Sequence, residues 1–341
     1  MSYTARNMKM PEWIKDGRAA LAIGALAIGV GMGTYLTPYF STQAVLKDVR
    51  DFQNSYHFIN PLLACGADGD LDIGQARALK QSLQAVIAKR TQAGDITDAS
   101  IYFRDLNNGP WVGINYDEKF SPSSLLKVPL AMSVFKKAED DPSFWQKKFS
   151  YTGTEVQDFQ HFPPARILPA GNYTVEELVR QMLQNSDNDA TNILANAVGA
   201  DSFTTTYAHL GISIPPVEGT DFTTTTHSYS SFFRILYSGT YLSDASSERL
   251  LALLSETNFT QGLVAGLPST IPVAHKFGER SFSDSSIVQL HDCGIVYLPK
   301  HPYVICVMTK GTNFDTLASV IAELSRTTYQ YVTSPVVGTN R

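Results

Sequence analysis

Between Ala19 and Phe40 the chain carries no charged residue and runs Ala-Leu-Ala-Ile-Gly-Ala-Leu-Ala-Ile-Gly-Val-Gly-Met-Gly before closing with Tyr and Phe. As a helix, such a stretch is long enough to cross a bilayer. Arg6, Lys9, Lys15 and Arg18 precede it, which places residues 1–18 on the cytoplasmic side. The length of the apolar part favours a retained anchor over a cleaved signal. Residues 41–74 read as a juxtamembrane linker. Within it Asp68, Asp70 and Asp72 alternate as in a calcium loop, but Ile73 and Leu79 stand where that loop needs Gly and Glu.

From about residue 75 the pattern is that of a globular domain extending to 330, with a polar tail over 331–341. Leu79, Leu83, Val86 and Ile87 recur at helical spacing over Ala76–Lys89. Ala99–Asp105 and Trp111–Tyr116 have strand composition around an Asn-Asn-Gly turn. Thr174-Val-Glu-Glu177 is a capping box that opens a helix with Val175, Leu178, Val179, Met182 and Leu183 on one face. The run Asn185–Asp189 breaks that helix, and helix resumes over Ala190–Val198. Tyr229–Leu242 is amphipathic. Val273–Glu279 reads as a strand, and Cys293–Leu298 and Tyr303–Met308 as a hairpin through Pro299–Pro302. Asp315 is placed to cap a last helix carrying Leu317, Val320, Ile321 and Leu324. Helix, strands, a long helical stretch, strands and a helix describe an α+β domain with an antiparallel sheet.

Composition narrows the function. A net charge of -5 without a Lys/Arg cluster argues against a nucleic-acid partner. Neither a metal-ligand cluster nor a phosphate-cradling Gly loop is visible, so neither metal nor cofactor is expected. Three cysteines do not make a disulfide framework. A hairpin turning at Lys300-His301 would set Cys293 and Cys306 diagonally on one sheet face, so both are expected as buried free thiols.

The chemistry concentrates in three places. Ser124 and Lys127, in Phe120-Ser-Pro-Ser-Ser-Leu-Leu-Lys127, share one helix face. A serine hydroxyl needs a base to become a nucleophile, and a lysine of lowered proton affinity supplies one. The loop running into the helix puts Ser124 in a first turn, among unpaired N–H groups, and Pro129 makes those turns irregular. Ser-x-x-Lys arises about once by chance in a chain of this length, and Ser133-Val-Phe-Lys136 is a decoy on the same helix. Ser186-Asp187-Asn188, between helices, and Lys276-Phe277-Gly278, on a strand, are the second and third. Asp187 reads as a helix cap.

In this order and spacing the three motifs resemble the penicillin-recognising serine enzymes, namely class A β-lactamases and the related D,D-peptidases, over about residues 75–330. The resemblance implies an antiparallel sheet flanked by helices, with an all-helical subdomain. It implies Ser124 as the acylated nucleophile, Lys127 as proton acceptor and Ser186 as a relay to the leaving nitrogen. Asn188 would orient the acyl side chain, Lys276 with Gly278 would bind substrate, and the backbone N–H groups of Ser124 and Glu279 would form the oxyanion hole. The implied substrate is a β-lactam or a peptidoglycan stem peptide, handled by a membrane-anchored, extracytoplasmic hydrolase. Three readings stay open: a β-lactamase, a D,D-carboxypeptidase or penicillin-binding protein, and a sensor that acylates without turnover.

Two departures stand out. Phe277 occupies a position where the family usually has Thr or Ser to bond a substrate carboxylate, leaving Arg280 or Ser281 as replacements. The loop glutamate that activates the deacylating water has no clear counterpart, and Glu218 is the candidate in that interval. His161, His227 and His275 are further candidates for the cleft. Lys310-Gly-Thr312 reads as a second decoy.

Overall fold

The computed structural model describes residues 56–60, 73–107, 111–153, 160–163, 166–214, 217–218, 221–283 and 285–334. The expected anchor over 19–40 and most of the linker lie outside these residues. Among the described residues no helix is long and apolar enough to cross a membrane. Residues from Phe58 onward form one compact unit.

Helix α1 (Ile73–Gln92) leads to β1 (Asp98–Asp105) and β2 (Trp111–Ile114). A 3₁₀ turn (Ser123–Leu126) runs into α2 (Lys127–Asp140), and the hairpin β3 (Lys148–Tyr151) and β4 (Gly171–Thr174) leads to α3 (Val175–Gln184). Next come α4 (Asn188–Val198), α5 (Ala200–Leu210) and the short pair β5 (Val217–Glu218) and β6 (Asp221–Phe222). Helices α6 (Thr226–Tyr237) and α7 (Asp244–Ser255) follow. Strands β7 (Val273–Ser281), β8 (Val288–Val296) and β9 (Tyr303–Gly311) precede α8 (Phe314–Thr333).

The main sheet is antiparallel, in the order β2-β1-β9-β8-β7. One face packs on α1 and α8 through Leu79, Leu83, Ile101, Ile305, Leu317, Ile321 and Leu324, all fully buried. Helix α6 packs against β1, β8 and β9 from the rest of the chain. Covered on both sides, β8 and β9 are buried along almost their whole length, so neither shows the alternation of a half-exposed strand.

The expected elements appear with shifted ends and some additions. The capping box at Thr174 and Glu177 closes in both directions. Asp187 caps α4, accepting from Ala190 N at 2.8 Å. The last helix is capped by Asn313 rather than Asp315, and it runs to Thr333, past the expected start of a polar tail. Pro129 falls in the first turn of α2, where its missing N–H has no intrahelical partner to lose, and the irregularity lies in the preceding 3₁₀ turn. Helices α5 and α7 escaped the pattern because their polar residues interrupt the apolar periodicity.

The cysteine expectation is overturned. Strands β8 and β9 turn one residue earlier than expected, at Pro299-Lys300 with Lys300 in the left-handed region (φ 67°), which sets Val296 opposite Tyr303 and shifts the pairing by two residues. A two-residue slip keeps every side chain on its face but turns the diagonal into a direct pair. Cys293 therefore lies opposite Cys306, and the two form a disulfide. Titration of the unfolded, unreduced protein should find one thiol of the three cysteines, rising to three after reduction. Reduction should cost about 3 kcal/mol of stability. Three thiols before reduction would contradict the pairing.

Candidate active site

Ser124 sits in the 3₁₀ turn, one residue after Ser123, whose φ is +47°. A left-handed serine costs about 1–2 kcal/mol, so the turn must be held from outside. Gln289 Oε1 accepts from Ser121 N at 3.0 Å, and Ser121 O accepts from His291 Nε2 at 3.0 Å, tying the approach to β8. Tyr229 Oη donates to Leu125 O at 2.9 Å from α6, and Ser123 Oγ donates to Glu279 O on β7. Gly278 permits the closest approach, since a Cβ there would lie 2.9 Å from Pro122 O and 3.2 Å from Leu125 N. The sheet's edge strand thus lies against the turn that carries Ser124.

Lys127 Nζ lies within hydrogen-bond distance of four oxygens, at 3.0 Å from Ser124 Oγ, 3.1 Å from Ser186 Oγ and 2.7 Å from Asn188 Oδ1, with the Ser186 carbonyl as the fourth. Lys276 Nζ, fully buried, reaches the same Ser186 hydroxyl at 2.9 Å and the Phe277 carbonyl at 2.9 Å. Burial first, and then the charge of Lys127, pushes Lys276 well below the ordinary lysine range, while Asp292 and Glu279 pull the other way. Ser186 is itself left-handed (φ 55°). Asp187 holds that turn: Oδ1 caps α4, and Oδ2 accepts from Leu168 N and Gln181 Nε2, each at 3.3 Å.

Ser124, Lys127, Ser186 and Asn188 line one cleft of about 380 Å³ with Phe277, Glu279, Arg280 and Ser281 of β7. All three motifs therefore converge. Gly278 contributes by closeness, as a strand residue without a side chain. Phe277 lines the cleft only with its edge and packs its ring into the core, stacked on Phe259 at 4.2 Å, with Lys276 Nζ 4.1 Å above its ring centre. Glu279 offers more than its backbone. Its half-buried carboxylate lines the cleft and accepts from Phe162 N at 3.2 Å, and burial raises its pKa above the usual carboxylate value. Nothing in the sequence distinguished that side chain, because its partners come from a loop more than a hundred residues away. Gln160 and His161 of that loop also line the cleft.

The remaining candidates separate by geometry. His161 bonds Asp315 at 3.0 Å at the rim. His275 is buried against Asp292, Nδ1 to Oδ1 2.8 Å, on the side of β7 away from solvent. His227 packs among Tyr102 and Tyr116. Both decoys have local explanations: Ser133 donates to Pro129 O, Lys136 pairs with Glu139 at 3.1 Å, and Lys310 pairs with Glu118 at 3.2 Å. Glu218 falls on β5, opposite Asp221, and its side chain lies outside the described atoms.

His291, fully buried behind the turn that carries Ser124, has its pKa lowered from 6.5 to about 3 by burial. The unfolded chain binds a proton near pH 6.5 that the native state refuses until about pH 3. Stability should therefore fall as pH drops through that window. Denaturant titrations should show the slope flattened in His291→Gln, whose amide still donates to Ser121 O. An unchanged slope would remove His291 from the acid response.

The model of the beta-lactamase enzyme family matches residues 78–332. A beta-lactamase of Streptomyces lavendulae is 28% identical over 226 residues, covering 61% of this chain and 72% of its own. Beta-lactamase CTX-M-4 of Salmonella typhimurium is 24% identical, covering 68% and 81%. In fold, a beta-lactamase from Chitinophaga pinensis superposes with a TM-score of 0.66 at 24% identity, over 75% of this chain and all of that one. A mutant of PBP-A, solved as its acyl-enzyme with penicillin G, gives 0.61 at 23% identity over 74% and 96%. The chain is a serine hydrolase that belongs to the beta-lactamase enzyme family.

Proposed function

We propose that Ser124 is the nucleophile of this hydrolase and Lys127 its proton acceptor, acting on the amide of a β-lactam or of a D-Ala-D-Ala-like peptide. The observation that carries this is the 3.0 Å contact from Lys127 Nζ to Ser124 Oγ inside a water-poor pocket. A neutral Lys127 amine has two N–H donors and one lone pair. The donors suit Asn188 Oδ1 and the Ser186 carbonyl, which leaves the lone pair for the Ser124 proton.

Attack then forms the Ser124 Oγ–carbonyl bond while Lys127 takes the proton. The N–H groups of Ser124 and Glu279 stabilise the oxyanion. Collapse breaks the C–N bond, and the proton passes from Lys127 through the Ser186 hydroxyl to the leaving nitrogen. Asn188 orients the acyl side. Water finally attacks the ester and releases the acid.

Among the described cleft-lining residues the one carboxylate is Glu279, which is already engaged by loop N–H groups. Glu218 is the sequence-derived candidate for a base acting on the deacylating water, and Lys127 is the alternative. Without either, the ester accumulates as in a penicillin-binding protein. That is the specific reason to keep the D,D-peptidase reading beside the β-lactamase one.

The membrane anchor over Ala19–Phe40 and an extracytoplasmic catalytic unit belong to the same proposal. The disulfide supports them, because such bonds persist in oxidising compartments. Three free thiols in protein isolated from its host under alkylating conditions would count against export.

Incubation with a penicillin should add one equivalent to the intact mass, mapped to Ser124 and absent in Ser124→Ala. Lys127→Ala should slow acylation about 10²–10⁴-fold, and Lys136→Ala by little. A chromogenic cephalosporin should give a burst of about one equivalent followed by slow turnover. An adduct at Ser133, or equal losses in the two lysine variants, would refute the assignment. Rapid turnover abolished by Glu218→Gln would instead establish that residue as the water base.

A further inference from the structure

The cleft wall formed by β7 has an unusual charge. The substrate carbonyl must sit over Ser124 with its oxygen toward the N–H groups of Ser124 and Glu279. Its leaving nitrogen then faces Ser186, and whatever that nitrogen carries runs along β7 past Phe277 and Glu279. A cleft built to attract a carboxylate there would present an accessible cation and hydroxyl donors. Three features of this wall do the opposite.

Lys276 is completely buried, with Nζ committed to Ser186 Oγ, to the Phe277 carbonyl and to the Phe277 ring face. Burial and Lys127 both drain its positive charge. Phe277 offers no hydrogen-bond donor and faces the core, stacked on Phe259. Glu279 adds a carboxylate of its own, anchored at the rim by Phe162 N. Two groups act against this trend. Arg280 lines the cleft as well, with its guanidinium 5.3 Å from the Phe282 ring centre. Ser281, also on the lining, lies at the exposed end of the strand. Gln160 Oε1, a buried acceptor without a partner, faces the same cleft and calls for a donor.

We propose that Glu279 is a specificity-determining residue that selects substrates whose leaving side carries a neutral or cationic donor group, and disfavours a free carboxylate. An internal peptide amide, an amidated terminus or a β-lactam with its carboxylate esterified or amidated fits this wall best. The free carboxylate of a penicillin or of a D-Ala-D-Ala terminus is accepted less well. The inference rests on Ser124 being the nucleophile.

The test uses the full-length protein and three thioesters with one common acyl group. Their leaving thiols are mercaptoacetate, mercaptoacetamide and 2-(dimethylamino)ethanethiol, with charges of minus one, zero and plus one. Thiol release gives kcat/KM, each normalised to the compound's own hydroxide-catalysed hydrolysis. In the wild type the normalised values should rise from anion to neutral to cation by about tenfold or more across the series. In Glu279→Gln the ratio of cation to anion should shrink to within about threefold. Reading a ratio cancels any general loss in the variant, and the wild-type order stands even if that variant does not fold. A wild type that prefers mercaptoacetate, or a ratio unchanged by Glu279→Gln, would overturn the assignment. No acylation of Ser124 by any of the three would overturn the reading of the nucleophile, and the selectivity with it.

Discussion

Two lysine side chains meet at one serine hydroxyl, in a place where water scarcely reaches them. Lys127 and Lys276 approach Ser186 Oγ at 3.1 and 2.9 Å, with 3% and 0% of their surfaces exposed. Two ammonium groups so close, and so dry, repel strongly, and the arrangement is tolerable only if positive charge is given up. The fold surrounds them with acceptors, the Ser186 and Phe277 carbonyls and the Asn188 amide, while Asp292 and Glu279 act on Lys276 from further off. In the proposed mechanism, this loss of positive charge makes a lysine available as a base beside Ser124.

Rigid elements hold the rest of the site around that point. Strand β7 brings Lys276 from the sheet, α2 brings Lys127, and the turn between α3 and α4 brings Ser186 in a strained conformation fixed by Asp187. The nucleophile turn is pressed against β7 at Gly278 and tied to β8 and α6 by Gln289, His291 and Tyr229. Each tie crosses between segments far apart in sequence. The site therefore exists only once the sheet and the helical part have packed together. Beneath β7, the Cys293–Cys306 bond fastens the two strands that carry it.

The three motifs, the capping box at Thr174 and the α+β class were legible in the sequence because each depends on local spacing or on residue type. The cysteine pair was not, since a turn placed one residue off slips the register by two and changes a diagonal into a direct partner while leaving the apolar pattern untouched. Phe277 announced itself as a departure, but its destination in the aromatic cluster with Phe162 and Phe259 depended on a loop with no periodicity to read. The Glu279 carboxylate was invisible for the same reason: only its backbone position followed from the motif.

In the proposed mechanism, Lys276 and Lys127 act through the Ser186 hydroxyl as one unit. A double-mutant cycle on Ser124 acylation tests it most directly, comparing Ser186→Ala, Lys276→Met and the pair. Groups that work as a unit are strongly non-additive. The double variant should lose little more rate than the worse single one. Losses that simply multiply would mean the two residues contribute independently, and would contradict the shared junction.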